Sequence, residues 1–304
     1  MLNIRQTSLY AQFMRRINWQ VEKIDGVFIY VKKLPLIPAV IKIQRPNKLP
    51  SLKKLTLLAK KYKAKSIIIE PSPNLQPTTY NLQLLNDPYI HTKSFHVDLT
   101  VSEYEIFNRF SSAKRRSVRR AQNLGVKVEI SDNIEAFIKL KNHTTGIFLG
   151  FLTTRGVTRP LWQTFAPKHA KVLLAYINSH SEQSEESSDQ RERKNENHAS
   201  LDSSLSFGMT SQPIDSILLL YNDKTAYYWM EAATKEGKKH FAPTLLTWEA
   251  FKFAKKQGCT TFDFEGVYDE RFPKRARDWQ GFSKFKEGFG GIPVYYPQPY
   301  QIRF

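Results

Sequence analysis

Short β-rich runs alternate with amphipathic helical stretches along nearly all of this chain, and its longest apolar runs are only strand-length. Val172 to Ile177 and Ile217 to Tyr221 are examples. A membrane-spanning helix needs about 20 apolar residues in a row, so any membrane contact is expected to be peripheral. Leu9, Phe13 and Ile17 recur at helical spacing, and Leu52 to Lys63 does the same with many lysines. Val27 to Val31, Ser66 to Glu70 (closed by Pro71) and Phe95 to Leu99 read as strands. Thr100 to Glu103 has the spacing of a capping box. From Val126 onward the pattern predicts β-α-(α)-β-β-β-α-β-α-β, with a hairpin at Asn222-Asp223 and a helix from Ala242 to Gln257. A weaker version of the same alternation fills the first hundred residues. The expected fold is therefore α/β, with two related lobes and mixed sheets. The expected division is 1–111 and 112–291, with the strand in 292–304 a candidate to return to the first lobe.

One stretch breaks the pattern. Ser179 to Ser204 has no aromatic residue and is rich in Ser and Glu, so it cannot bury a core. It reads as a flexible insertion between two strands. It holds seven acidic and three basic residues, a net of −4, so the rest of the 304-residue chain carries +22 of the overall +18 balance. Such a basic protein is expected to meet something anionic: nucleic acid, a phosphorylated metabolite or an acidic membrane surface. The single Cys259 excludes an intramolecular disulfide and a multi-cysteine zinc site, and a reducing, cytoplasmic setting fits. Met1 to Trp19 shows no continuous apolar run of the secretory kind.

Four places are candidates for chemistry. The helix Lys114 to Arg120 presents Lys114, Arg115, Arg116, Arg119 and Arg120, either as a solvated face or as a phosphate grip. The turn Ala233 to Thr244 carries Lys238 and Lys239 and leads into a helix N-terminus, where anions are favoured. In FDFEGV, alternation sets Asp263 and Glu265 on one face of a strand end, as a proton acceptor or as partners for Arg271 or Arg275. In GFSKFKEGFGG, Lys284 and Lys286 stand among phenylalanines, where an ammonium can stabilise developing negative charge. The His residues are scattered, so no metal site is expected. Glycine-rich nucleotide fingerprints and serine-hydrolase or zinc-protease signatures are absent.

These segments, in this order, resemble a known family. Ser8 to Ile24, SSAKRRSVRRAQNLGVKV, YYWMEAAT, Ala242 to Val267 and GFSKFKEGFGG together look like the FemAB-type peptidoglycan-bridge aminoacyltransferases. The resemblance implies tandem acetyltransferase-like lobes that move an aminoacyl group from charged tRNA to the amine of a cell-wall stem peptide. By position it places Arg15 where the family has a phosphate-binding lysine, and Lys286 near the reacting ester. It sets Tyr228 in the strand lining the acceptor cleft, and Asp263 at the acidic position of the strand. It offers Arg155 or Arg159 as the acceptor-side arginine, while the family's accompanying tyrosine is not matched. The family's helical arm has no room here. No cofactor is implied beyond aminoacyl-tRNA as co-substrate, the acceptor is a lipid- or UDP-linked muropeptide, and a monomer is expected. Two other readings stay open: an acyl-CoA- or acyl-carrier-dependent N-acyltransferase, and a non-catalytic RNA-binding protein.

Overall fold

The computed structural model describes residues 2–75, 82–145, 154–177, 212–274 and 277–304. The serine-rich stretch 179–204 and Arg275 lie outside the described residues. The chain enters through a short 3-10 turn, Ile4–Gln6, and helix α1 (Ser8–Arg16), whose first turn is held by the Thr7 side chain. Strands β1 (Gln20–Ile24), β2 (Val27–Leu34) and β3 (Ile37–Gln44) form an antiparallel meander. Helix α2 (Leu52–Tyr62) then crosses to β4 (Ser66–Glu70), parallel to β3. After β5 (Leu82–Leu84) and β6 (Lys93–Asp98) come α3 (Glu103–Asn108) and the basic α4 (Ser112–Asn123). Next are β7 (Val126–Ser131), α5 (Ile134–Thr145), α6 (Arg159–Phe165), β8 (Ala170–Ile177), β9 (Asp215–Asn222) and β10 (Thr225–Ala233). The chain closes with α7 (Lys235–Lys239), α8 (Ala242–Lys256), β11 (Thr261–Asp263), α9 (Gln280–Glu287), β12 (Ile292–Tyr295) and β13 (Tyr300–Arg303).

The strands make two mixed sheets, ordered β1-β2-β3-β4-β13-β5 and β12-β6-β11-β10-β9-β8-β7. The α/β pattern read from the sequence is thus the one that forms. Three local expectations change. The capping box is Ser102 with Glu105, because Thr100 is instead held by the Asp98 carboxylate. The strand at Ile292–Tyr295 pairs with β6 in the second sheet, and it is β13 that returns to the first sheet, beside β4. β6 itself, inside the 1–111 stretch, also belongs to the second sheet. Phe95, Val97, Ile106 and Phe110 accordingly bury in the second lobe's core.

Burial explains the layers. In β2, Val27, Ile29 and Val31 face α2, while Tyr30 faces α1. In β9, Ile217 and Leu219 pack under α4 and α8, while Leu218 and Leu220 meet Tyr10, Phe13 and Phe165. A strand apolar on both faces needs cover on both sides, and β9 receives it from helices of both lobes. The core shared by α1, α5 and α6 therefore joins the two sheets. The site is built beside this shared packing.

Candidate active site

The site begins where two parallel strands part. β10 pairs with β11 only from Thr225–Thr261 to Tyr227–Asp263. Beyond that, β10 runs on to Ala233, while the chain after Asp263 bends away through Glu265, at φ 58. The left-handed backbone there is costly for a glutamate, so something must hold it. Arg5 does so: its guanidinium grips the Glu265 carboxylate through both terminal nitrogens, at 3.2 and 2.6 Å. Both side chains are almost fully buried. Burial works against the Arg5 charge, and Glu265 more than offsets it, raising the pKa further. Arg5 also lies 5.0 Å from the Trp229 ring. It ties the N-terminal turn of the first lobe to the strand end of the second.

Lys286 fills the gap between the parted strands. The amphipathic pattern of α9 buries it, and its ammonium donates to the carbonyls of Phe264 (2.7 Å) and Gly266 (2.9 Å). It lies 5.4 Å from the Tyr228 ring and 5.0 Å from Phe282. Burial lowers its pKa to about 8, with the Glu231, Glu265 and Asp263 charges pulling the other way. An ammonium has three donors, so among the described residues one N–H of Lys286 has no hydrogen-bond acceptor and can meet a ligand.

Asp263 is placed differently from its expected role as proton acceptor. Its side chain is buried and accepts from Ser94 and from the Glu265 amide (2.7 Å), with His96 Nε2 at 3.2 Å. Burial raises its pKa, but the His96 ring and the Ser94 hydroxyl hold the carboxyl well below the usual range. A carboxylate so satisfied is a weak base. It fixes the bend at the end of β11 instead.

Two carboxyl groups the sequence reading passed over are better poised. The irregularity between Tyr228 and Met230 shifts the register of β10 against β9. Tyr228 stands opposite Leu219, Glu231 opposite Ile217 and Ala233 opposite Asp215, so Tyr228, Glu231 and Asp215 share one face. Among the described residues, the Tyr228 hydroxyl is buried near Glu231 and Thr247 without a hydrogen bond of normal geometry, and Asp215 Oδ2 is buried without any. Burial pushes the Glu231 carboxyl up, partly offset by Tyr228 and by the Lys286 and Lys141 charges. Burial, then the Glu231 charge, pushes Asp215 well above its ordinary range. The bulge in YYWME was the one missing signal: strict alternation puts Tyr228 and Glu231 on opposite faces.

The other expected residues distribute around this core. Arg15, expected to contact substrate phosphates, is exposed in the last turn of α1, while Arg5, outside the expected set, is the cation that grips the strand end. Arg159 pairs with Glu135 on the surface at 2.7 Å. Arg155 lies in the turn Thr154–Thr158, and its side chain lies outside the described residues. On α4, Lys114 turns inward over Phe285 (3.6 Å), and burial lowers its pKa to about 8. Arg115 is spent on the Asn108 and Phe110 carbonyls. Arg116, Arg119 and Arg120 are exposed, and Arg120 lies over Phe241, beside the α7 that carries the exposed Lys238 and Lys239. The turn expected after β10 is thus a short helix, capped by Thr234. A cavity of about 900 Å³ opens at this corner, between α5 and Ala233–Lys238, and none of its lining residues is Lys286, Asp263 or Tyr228. Among the described residues no His, Cys, Asp or Glu group is placed to hold a metal ion, and no helix is long and apolar enough to cross a membrane.

Comparison with known proteins agrees with this architecture. The model of the FemAB family matches residues 168–297, from β8 to just beyond β12. The structure is similar to that of FemX, with a TM-score of 0.73 at 17% identity, covering 99% of this chain and 92% of that one. It is also similar to the C-terminal domain of an Agrobacterium fabrum protein named as a lysylphosphatidylglycerol synthetase (TM-score 0.63, 14% identity, 98% and 88% covered). A tandem acetyltransferase-like (GNAT) protein from the clavulanic acid biosynthesis pathway matches at TM-score 0.52 and 10% identity, over 91% and 78% of the two chains. No curated protein sequence matches the chain.

Proposed function

We propose that this chain, which is of the FemAB/FemX type, is an acyltransferase that moves an aminoacyl group from charged tRNA to the amine of a cell-wall stem peptide. The observation that carries the reading is Lys286: a buried ammonium in the gap between β10 and β11, with two of its three donors taken up among the described residues. In the reaction a neutral amine attacks the ester carbonyl, and the carbonyl oxygen becomes an oxyanion. That oxyanion takes the third N–H of Lys286, in a site where burial makes the interaction strong. Collapse breaks the ester C–O bond; the ribose oxygen leaves as its hydroxyl by taking up the proton that the amine first gives to the carboxyl group beside it, and the new amide keeps the aminoacyl group. The proton shed by the amine goes to Glu231, whose raised pKa suits an acceptor better than Asp263. The exposed Arg116, Arg119 and Arg120, with Lys238 and Lys239, supply a contiguous basic surface for tRNA phosphates. The acceptor muropeptide lies across the lobe junction, where Arg5 and Glu265 meet. No cofactor enters this scheme.

Single-turnover transfer from charged tRNA tests it. Lys286→Ala is expected to slow the chemical step by about 10²–10³-fold, the usual loss for one oxyanion donor. An unchanged rate overturns the assignment. A second reading, an acyl-CoA-dependent N-acyltransferase, is favoured by one observation. The N-terminus of α8 has Pro243 in its first turn and no side-chain cap, so no capping side chain competes with an anion for its first-turn amides. Titration with acetyl-CoA against filter binding of charged tRNA separates the two.

A further inference from the structure

The first lobe has a surface that the transfer reaction does not use. The β2–β3 hairpin ends in Leu34-Pro35-Leu36-Ile37, and its aliphatic side chains stand in solvent: Leu36 is fully exposed, Ile37 is 58% exposed and Leu34 37%. Leu36 sits at φ 63, so the turn thrusts it outward at a conformational cost. Register places other groups at the same end of the sheet. Ile41 stands beside Ile67, which brings Lys65 and the exposed Lys63 level with the start of β3. Arg303 pairs with Ser66, and the Phe304 amide donates to the Lys65 carbonyl, so the exposed Phe304 ends there too. Lys33 flanks the tip, and Lys60 and Lys61 end α2 beside it.

The lobe as a whole is basic: residues 1–75 hold fifteen Lys and Arg against three Asp and Glu, and Lys33, Lys60, Lys61, Lys63 and Lys65 are the ones at this end. Glu22 is paired with Lys61. Asp25 and Glu70 stand at the opposite end of the strands, the end that carries Arg45 and faces the lobe junction. An apolar tip ringed by cations is the pattern of a peripheral membrane contact: the aliphatic groups enter the acyl boundary and the lysines meet anionic headgroups. A second copy of so basic a lobe is repelled. RNA would gain little from the tip, because aliphatic side chains offer no ring for base stacking.

We propose that the end of the first lobe formed by Leu34–Ile37, Lys33, Lys63, Lys65 and the C-terminal Arg303-Phe304 is a docking surface for an anionic lipid bilayer. Docked this way, the chain holds the Arg45–Glu70 end of the sheet, and the lobe junction, about 25 Å above the bilayer, the length of eight strand residues.

Flotation of the full chain with vesicles tests this. The protein is expected to float with vesicles of phosphatidylcholine mixed with phosphatidylglycerol and not with phosphatidylcholine alone. Leu36→Asp should lower partition about tenfold or more. Aspartate tolerates the left-handed turn, so the melting temperature serves as the folding control. Lys63→Glu with Lys65→Glu should lower partition by about fivefold for each lysine, and added salt should do the same. Transfer to a water-soluble acceptor should be unchanged in these variants, which separates this proposal from the catalytic one. Three results overturn it: no flotation of the wild-type chain with anionic vesicles; Leu36→Asp weakening binding of a single-stranded RNA oligonucleotide but not flotation; or sedimentation showing a dimer that Leu36→Asp dissociates.

Discussion

Lys286 sits between two demands. Its burial disfavours charge, yet stabilising an oxyanion requires it charged. A pKa of about 8 leaves it mostly protonated at neutral pH. The transfer rate is therefore expected to fall as pH rises through about 8, once the rise from amine deprotonation is divided out with a model amine. Lys286→Arg should push that falling limb to higher pH, since guanidinium stays charged. Stability runs the other way. Between about 8 and the ordinary lysine value of 10.5 the unfolded chain holds a proton that the folded one has lost, so Lys286 makes folding more favourable as pH rises there. Asp263 has the opposite history. Its folded pKa lies below the ordinary 3.8, so its contribution is present above that value and is lost as pH falls further. Asp263→Asn removes a buried charge partner of His96 and should cost about 3 kcal/mol, read by urea denaturation. Glu231→Gln should leave the melting temperature close to wild type while slowing single-turnover transfer by about 10²-fold, the range for a lost proton acceptor.

At the scale of elements, the site depends on how α9 meets its neighbours. Gly288 and Gly290 follow this helix directly. A Cβ on Gly290, at φ 73, would lie 2.4 Å from the Arg109 carbonyl oxygen, and one on Gly288 would meet the Lys114 side chain at 2.9 Å. The GFGG tail thus lets the end of α9 lie against the α3–α4 connection, and this seats Lys286. Gly290→Ala combines strained backbone with a backbone clash, and about 2 kcal/mol of lost stability is expected from thermal denaturation. The basic helix α4 was legible as an amphipathic helix from Val118 and Ala121 facing inward. Which of its cations face solvent was not. Arg115 and Lys114 turn toward carbonyls at the end of α3 and just after it and toward aromatic rings of α9, and the period of α4 does not encode those neighbours.

Across the whole molecule, Arg5 is the residue on which the lobes agree. It leaves the first turn of the chain and meets Glu265 across a separation of 260 positions. Arg5→Met strands a buried carboxylate at a strained φ, and about 3–5 kcal/mol should be lost, with both lobes unfolding in one transition. The same variant should weaken acceptor binding more than tRNA binding, because the basic surface of α4 and α7 lies apart from the lobe junction. Binding of tRNA should itself fall steeply with salt, with about one unit of log–log slope lost for each of Arg116, Arg119 and Arg120 replaced by Gln.

The sequence by itself determined the two α/β lobes, since period-2 and period-3.6 patterns are local and each names its own element. It also determined the motif order that resembles the FemAB type, including Lys286 in its glycine-rich setting. Only the tertiary structure decided which groups share the cleft. It joined Arg5 to Glu265 across the lobes, turned Asp263 from base to brace, and brought Glu231 and Asp215 onto one face through a bulge. The reason is physical: periodicity fixes which face a side chain takes within its own element, but pKa and reach depend on burial and on partners far away in the chain.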